Sequence, residues 1–363
     1  MVVYNLNLLV VYVFSLLSRA PVKIDGVAEQ RKPFAIVTAI PFLSLWLVAG
    51  LRYGTGADYW TYVVHFYRVD MVETTLEPGR EVGYTSLIQL VRLFTDDAQA
   101  FFLVTSFMIL VLFVLGMRRQ ARRLELSMFL FVCGFSYYSS LNVVRQYIAI
   151  ALFFYAIQYL SSRQPLKYAL MIGLATAFHF TAIILLPLYV FVHRPMGKFA
   201  ITVVAIVIAG LYWQYDLVSD LLLGLSPYEE AYTATKYVSE GAKVWHALVP
   251  GAIVLVAFLL LRKLNAADAR NTVYTNLMLL ALLFNVLSLG GMGFARIALY
   301  FGTANIFLVP NFLDVVPAQL RPYAYLLVVV LFYLYSYVLL TAGQAGVLPY
   351  AFMWLGGEVV TIP

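Results

Sequence analysis

Eleven long apolar runs follow one another along this chain of 363 residues, most of them separated by short polar stretches. They are Met1–Leu17, Phe34–Leu51, Ala98–Met117, Leu126–Leu141, Val143–Leu160, Tyr168–Val192, Phe199–Trp213, Trp245–Leu261, Thr272–Leu289, Ile297–Leu313 and Tyr323–Leu340. A helix needs roughly 20 apolar residues to cross a bilayer. The sequence therefore predicts an all-α, polytopic integral membrane protein. We expect one membrane domain over residues 1–363 with about 11–12 spanning or half-spanning helices.

The composition excludes several classes of protein. Charged residues make up 12% of the chain and hydrophobic residues 63%, whereas about a quarter of a soluble protein is charged. A soluble enzyme, a nucleic-acid-binding protein and a disordered chain are thus excluded. The single cysteine, Cys133, excludes a disulfide framework. The chain has no phosphate-binding Gly-x4-Gly-Lys-Ser/Thr motif, so it does not drive transport with ATP by itself.

The distribution of charge predicts the orientation of the chain. With the N-terminus outside, the inner loops hold 16 of the 24 Lys and Arg and 5 of the 18 Asp and Glu, which gives them a net charge of +11. The outer segments then carry −5, as the positive-inside rule requires. Two outer loops are long, residues 52–97 and residues 214–244. Within the first, Gly83–Phe94 has helical apolar spacing and predicts an amphipathic helix lying on the membrane.

The run Tyr168–Val192 does not fit simple alternation. Basic residues flank it on both sides, so both of its ends are expected in the cytoplasm. The simplest interpretation is a broken or re-entrant segment with His179 near its outward apex. Irregular backbone at membrane depth needs surrounding protein or a water-filled cavity, which predicts that His179 lies in a cavity.

Three arginines lie on the predicted outer side, where the positive-inside rule disfavours them. Arg52 directly follows a span, while Arg145 and Arg296 begin spans. Each alone is explained by snorkelling or by capping a helix. Together, planar guanidinium groups that converge on one cavity suit a phosphate or diphosphate. We therefore predict an anion site that uses at least two of them.

The stretch from Arg52 to Tyr59 is the densest polar motif. Gly54 and Gly56 would let backbone amides approach an anion, and Asp58 adds an acid, although a plain loop is the commoner origin of such a turn. Tyr53 and Tyr59 offer rings and hydroxyls to a sugar, or belong to an interfacial aromatic belt.

His179 has no acidic neighbour in its apolar run. A histidine there is either a satisfied core residue or a general base, whose near-neutral pKa suits deprotonation of a hydroxyl. No cluster of His, Asp and Glu in the sequence provides the three or four ligands of a zinc site, so no metal is expected.

These motifs together resemble the EpsG family of bacterial exopolysaccharide polymerases, over about residues 34–354. The marks are Arg-Tyr-Gly-x-Gly-x-Asp-Tyr from Arg52, Glu81-Val-Gly-Tyr, Arg145-Gln146 before an apolar run, Phe178-His179, Arg296 with Tyr300, and Pro349-Tyr350. Ala57 departs from the family pattern.

The resemblance implies a polymerase of the Wzy type, related to O-antigen polymerases and placed in the bacterial inner membrane. It would join oligosaccharide repeat units carried on undecaprenyl diphosphate, which serve as donor and acceptor, by inverting glycosyl transfer without a cofactor. Carried over by residue, Arg52, Arg145 and Arg296 would bind the diphosphate, and His179 or Asp58 would activate the acceptor hydroxyl, with His179 preferred. The supporting residues would be Tyr53, Gly54, Gly56, Tyr59, Gln146 and Tyr300.

The implied partners are the lipid bilayer and, where an export machinery exists, its chain-length regulator and export proteins. A transporter or flippase for a lipid-linked or anionic glycan is the alternative, because outward arginines would serve it too. Transporters often contain inverted repeats with two broken segments, whereas this sequence shows one. A membrane acyltransferase would require an acidic residue paired with His179, and the sequence near His179 contains none.

Overall fold

The computed structural model describes residues 1–18, 35–69, 81–195, 244–290, 293–353 and 359–362, together with the isolated positions 202, 206, 210, 213 and 214. The predicted outer loop at residues 214–244 and the span at Phe199–Trp213 therefore lie almost entirely outside the described residues. So do residues 70–80 of the first outer loop.

The described chain is helical apart from one short hairpin. Its α-helices are α1 (Val2–Leu17), α2 (Ala35–Gly50), α3 (Tyr59–Arg68), α4 (Val82–Arg92), α5 (Ala98–Gln120), α6 (Leu124–Cys133), α7 (Ser136–Ser140), α8 (Val144–Ser161), α9 (Pro165–Phe178), α10 (Leu188–Phe191), α11 (Trp245–Leu259), α12 (Leu261–Ala267), α13 (Arg270–Leu287), α14 (Gly293–Gly302), α15 (Asn305–Val315) and α16 (Arg321–Thr341). Strands β1 (Tyr350–Met353) and β2 (Val359–Ile362) pair antiparallel, with Tyr350 opposite Ile362.

Several helices have the length and composition of membrane spans. Among the described residues, α5 and the helical stretch Ala318–Thr341 that contains α16 can each cross a membrane. The bent pairs α11–α12 and α14–α15 bring this number to four if each pair is one span. Large apolar side chains on α16 remain half exposed or more, among them Leu326, Leu331 and Val338. The prediction of a helical membrane protein is confirmed.

The predicted break at His179 is present and takes the re-entrant form. Helix α9 ends at Phe178, His179 has extended backbone (φ −155°, ψ 115°), and a 3₁₀ turn over Phe180–Leu185 follows. The returning chain packs on α9, where the Tyr168 hydroxyl donates to the Leu185 carbonyl over 2.6 Å. The ring of His193 then reaches the Leu160 carbonyl at the end of α8, at 2.8 Å. Both ends of the segment therefore lie on the same side, with His179 near the apex.

The apolar run Leu126–Leu141 differs from its prediction as one continuous span. Helix α6 ends at Cys133, and Phe135 adopts a left-handed conformation (φ 74°) before the short helix α7. A Cβ atom on Gly134 would clash with the Leu130 carbonyl, so glycine permits the close turn. Apolar composition alone does not reveal such a break, because both pieces are buried on every side.

The predicted amphipathic helix is present as α4, but protein covers its apolar face. Tyr84, Leu87, Ile88 and Val91 are buried, and α4 packs on α9 and α5. Its hydrophobic spacing is thus explained by packing within the protein. Placement on the membrane stays a prediction that rests on the exposed Leu90 and on Leu93 and Phe94 just beyond the helix.

Three of the basic residues assigned to inner loops lie at one end of α5. Arg122 and Arg123 pair with Asp314 at 3.0 and 2.7 Å, and Arg270 pairs with Asp268 at 2.6 Å. At the opposite end of α5, the Gln99 side chain donates to the Gly50 carbonyl. The 23 residues of α5 separate the two ends by about 35 Å. The polar site described below lies at the Gln99 end, and which end faces the cytoplasm stays a prediction.

Candidate active site

Glu81 lies between two of the predicted functional residues. It directly precedes α4, and 6% of its surface is exposed. Its Oε2 accepts from the Arg145 guanidinium at 3.0 Å, and its Oε1 is hydrogen-bonded to Nδ1 of His179. The Phe180 amide adds a long contact to Oε1, at 3.4 Å. Three distant parts of the sequence therefore meet at this carboxyl group.

The Glu81 contact determines which nitrogen of His179 can act as a base. An ionised carboxylate only accepts hydrogen bonds, so Nδ1 carries the proton in this pair and Nε2 is the basic nitrogen. His179 is 6% exposed, whereas 30% of the Arg145 side chain is exposed. Arg145 is thus the most accessible member of the cluster, and a ligand would approach from its side.

Arg145 is also placed among aromatic side chains of the outer loop. Its guanidinium lies 5.2 Å from the centre of the Tyr84 ring, a distance typical of a cation–π contact. Burial is the main reason why the pKa of His65 is lowered, and Arg145 lowers it further. The Tyr84 hydroxyl is 3.5 Å from Nδ1 of His65. Helices α3 and α4 therefore hold Arg145 in place from one side.

Tyr62 connects this cluster with Asp58 and Arg296. Burial raises the pKa of the Tyr62 phenol; Arg145 and Arg296 oppose this effect, and Asp58 adds to it. All three charges thus lie within electrostatic range of one hydroxyl. A further link runs through Gln146, whose Nε2 donates to the Arg296 carbonyl at 2.6 Å. The site therefore extends from His179 and Arg145 toward Arg296 and Asp58.

Asp58 and Arg296 line a cavity of about 360 Å³. Its walls come from the glycine-containing loop before α3, the segment from Gly134 into α8, helices α11, α13, α14 and α16, the first residue of α15, and the turn at residues 344–345. Neither Arg145 nor His179 lines this cavity. The prediction of one shared cavity is therefore corrected: the residues form two adjoining groups.

Arg52 lies apart from both groups, contrary to the expectation that all three arginines converge. It is 1% exposed. Its guanidinium donates to the Ala49 carbonyl and, at 3.2 Å, to the Leu141 carbonyl, and it covers the Phe102 ring at 4.7 Å. Donors that bind backbone carbonyls inside the protein do not present a free fork to a diphosphate. Arg52 instead ties α2 to the turn before α8.

The glycine-containing loop is a structural turn. Gly54 and Gly56 have positive φ angles of 59° and 108°. The Tyr53, Gly56 and Ala57 amides donate to the carbonyls of Ala351, Gly346 and Ala345 at 2.8, 3.0 and 3.1 Å. These three amides are used within the protein, so they do not form the anion-binding nest considered from the sequence. The loop instead serves to place Asp58 at the cavity.

We expect Gly56→Ala to destabilise the loop. A Cβ at residue 56 would lie 3.1 Å from both the Asn142 Oδ1 and the Leu141 carbonyl, and its φ of 108° is strained for any other residue. The cost is about 1–3 kcal/mol, visible as a lower thermal unfolding temperature of the detergent-purified protein. Gly173→Ala is the matched control, because nothing lies within 4 Å of its added Cβ. Equal unfolding temperatures for the two variants would contradict the assignment.

The predicted sugar-binding or supporting residues are mostly buried. Tyr59 stacks on Phe102 with 4.4 Å between ring centres. Gln146 is 2% exposed, and Tyr300 is fully buried with its hydroxyl 3.1 Å from that of Thr181. These three side chains can support the site but do not offer a surface to a sugar. Tyr53, which packs against Tyr59 and Trp60, is only half-buried.

Sequence reasoning missed the role of Glu81. It found no acid near His179 because the two residues are 98 positions apart. The available signal was the Glu81-Val-Gly-Tyr motif, which was noted only as a point of resemblance. Gly83 lies against the Ala177 carbonyl, 3.0 Å from an added Cβ, so this motif brings α4 close to the apex. In the described part of the chain, no group of three His, Cys, Asp or Glu side chains could hold a metal ion.

The fold and site define a class: a helical membrane protein with a His–Glu–Arg cluster and an adjoining polar cavity at one end of its helices. The model of the EpsG family matches residues 35–352, most of the chain. The protein belongs to the EpsG family, which is associated with exopolysaccharide polymerase-like function in the membrane. No curated protein and no solved structure matches the chain.

Proposed function

We propose that this protein polymerises polysaccharide by joining oligosaccharide repeat units carried on undecaprenyl diphosphate at the outer face of the bacterial inner membrane. The observation that carries the proposal is the buried Glu81 carboxylate, which binds His179 with one oxygen and Arg145 with the other. This arrangement places an oriented base beside a cation. Glycosyl transfer from a diphosphate requires both, and membership of the EpsG family supports the choice of substrate class.

The proposed step is an inverting displacement. Nε2 of His179 takes the proton of an acceptor hydroxyl, whose oxygen forms the new bond to the anomeric carbon of the donor. The bond from that carbon to the diphosphate oxygen breaks, and undecaprenyl diphosphate leaves with the electron pair. Glu81 stabilises the imidazolium that forms, so its role is to position and assist His179.

Arg145 and Arg296 would bind the leaving diphosphate. Gln146, the neighbour of Arg145 in the chain, donates to the Arg296 carbonyl at 2.6 Å, so the two arginines belong to segments in direct contact. Cationic donors aimed at a developing charge are among the largest contributors to catalysis. Arg52 is left out of this pair because its contacts are internal. Asp58, at the cavity wall, remains the second candidate for the base.

The test uses purified protein in liposomes with lipid-diphosphate repeat units. We expect the length of the lipid-linked glycan to grow without any nucleotide sugar, and His179→Gln to slow growth by about 10²- to 10⁴-fold. Translocation of the repeat units without chain growth would contradict the proposal and favour the flippase. His193→Gln is a control for the loss of an imidazole, because the His193 ring lies at the far end of the re-entrant segment, against the Leu160 carbonyl.

The proposed partners follow from this reaction. The bilayer presents both lipid-linked substrates, and chain-length regulator and export proteins would receive the product. No nucleic acid and no cofactor takes part. If pull-down of the working protein from membranes recovers such export proteins, the placement in an export pathway is supported.

A further inference from the structure

Two of the residues that line the cavity beside Arg296 each carry a buried polar atom without a hydrogen-bond partner among the described residues. Asn142 is 8% exposed and its Oδ1 accepts a long hydrogen bond from the Asp58 amide, at 3.4 Å. Its Nδ2 is buried and has no hydrogen-bond partner among the described residues. The same holds for Oδ1 of Asn305, on another wall. Native proteins rarely leave such atoms unpaired, so a bound molecule is their natural partner.

These two atoms need opposite kinds of hydrogen-bonding partner. The Asn142 amide nitrogen is a donor and needs an acceptor, whereas the Asn305 amide oxygen and the Asp58 carboxylate are acceptors and need donors. A diphosphate offers acceptors alone, so it suits Arg296 but neither the Asp58 carboxylate nor the Asn305 oxygen. A sugar ring carries hydroxyl groups, each of which donates and accepts. The lining of this cavity therefore fits a neutral polyhydroxylated ligand better than an anion.

The volume of the cavity and its aromatic side chains also fit a sugar ring. The cavity volume of about 360 Å³ falls at the lower end of small-molecule sites. Tyr147, Phe332 and Tyr335 supply aromatic surface for the C–H face of a sugar ring. Arg296 also lines this cavity, and its carbonyl accepts from Gln146, the neighbour of Arg145, at 2.6 Å. A sugar in the cavity would thus be adjacent to the proposed diphosphate site.

We infer that this cavity is a carbohydrate subsite, which holds the sugar ring nearest the diphosphate of a lipid-linked repeat unit through Asn142, Asn305 and Asp58. The inference rests on the proposed function for the identity of the whole substrate. It goes further because it separates sugar recognition from the binding of the diphosphate and assigns two asparagines that no sequence motif marks.

The test measures binding of a lipid-free probe. Mild acid releases the repeat-unit oligosaccharide from the lipid-linked intermediate of cells whose polymerase is inactive. Its affinity for the purified full-length protein is measured calorimetrically, beside that of inorganic pyrophosphate. Asn142→Asp keeps the oxygen that faces the Asp58 amide and removes the donor, while Asn305→Leu removes the acceptor. We expect each to weaken oligosaccharide binding about three- to tenfold, the contribution of one hydrogen bond.

Controls separate this inference from the proposed function. Asn5→Asp, at an exposed position of α1 that does not line the cavity, should bind as the unchanged protein does. His179→Gln should retain oligosaccharide binding while losing chain growth. Unchanged oligosaccharide affinity in both asparagine variants overturns the subsite and leaves the function standing. A loss of affinity for pyrophosphate alone would likewise overturn the subsite and leave the function standing. If one variant fails to fold, by its unfolding temperature, the other decides.

Discussion

Cells that carry Arg145→Ala or Arg296→Ala should contain no full-length polymer and should accumulate lipid-linked single repeat units. Removal of one preorganised donor from a site where negative charge develops costs about 10²- to 10³-fold in rate, and loss of Arg145 also leaves the buried Glu81 without this partner. Gel analysis of the polymer and chromatography of the lipid fraction measure both effects.

The matched control for these variants is Arg68→Ala. Arg68 belongs to the predicted outer loop at residues 52–97 and is exposed at the end of α3. Its loss should leave the polymer unchanged. The diphosphate-binding role would be contradicted if either Arg145→Ala or Arg296→Ala, present at normal levels in the membrane, still supported full-length polymer.

Glu81→Gln should lower the rate of chain growth by about 10²- to 10⁴-fold, the range attributed to a general base. A carboxylate accepts from His179 and Arg145 at once, one oxygen to each. An amide has one oxygen, so its nitrogen must face either the guanidinium or the ring. If the amide nitrogen faces the Arg145 guanidinium, two hydrogen-bond donors oppose each other. If it faces His179, Nδ1 must accept, so the proton moves to Nε2 and His179 can no longer act as the base. Initial rates in liposomes measure the effect.

Two further measurements distinguish this positioning role from simple loss of structure. When His179 is already replaced by glutamine, adding Glu81→Gln should lower the rate by less than about threefold further. The effects of two residues that act as a unit are not additive. Glu81→Asp should restore part of the rate. Asp97→Asn is the matched control, since asparagine also caps α5 through the bond from the Gln99 amide. Full additivity of the two losses would argue against a coupled pair.

The fold class and the re-entrant segment were predictable because both depend on local patterns. Apolar runs identify helices in a membrane, and basic residues on both sides of Tyr168–Val192 required a chain that returns. The break at Gly134–Phe135 was not predictable in this way. Ser136, Ser139 and Ser140 follow it, but Ser127 lies inside α6, so serines do not by themselves show where the helix ends.

The sequence indicates several candidate residues of the site, but it does not predict which of them meet. Arg52 and Arg145 look alike in the sequence, each beside an apolar run at the same predicted face. One is buried against carbonyls and the other is partly exposed, because tertiary contacts decide the direction of a long side chain. The pairing of Glu81 with His179 spans 98 positions, and no periodicity relates residues so far apart.

The contacts between the glycine-containing loop and the chain's last described turn bear on how the protein is made. Tyr53 and Ala57 donate to carbonyls at residues 351 and 345, and the Tyr350 hydroxyl reaches the Val48 carbonyl at 2.9 Å. A ribosome delivers residue 53 long before residue 351. During synthesis and membrane insertion, the loop that carries Asp58 therefore lacks these carbonyl partners until nearly 300 more residues have been added. A nascent chain that stops short of residue 345 lacks the carbonyls that hold this part of the site.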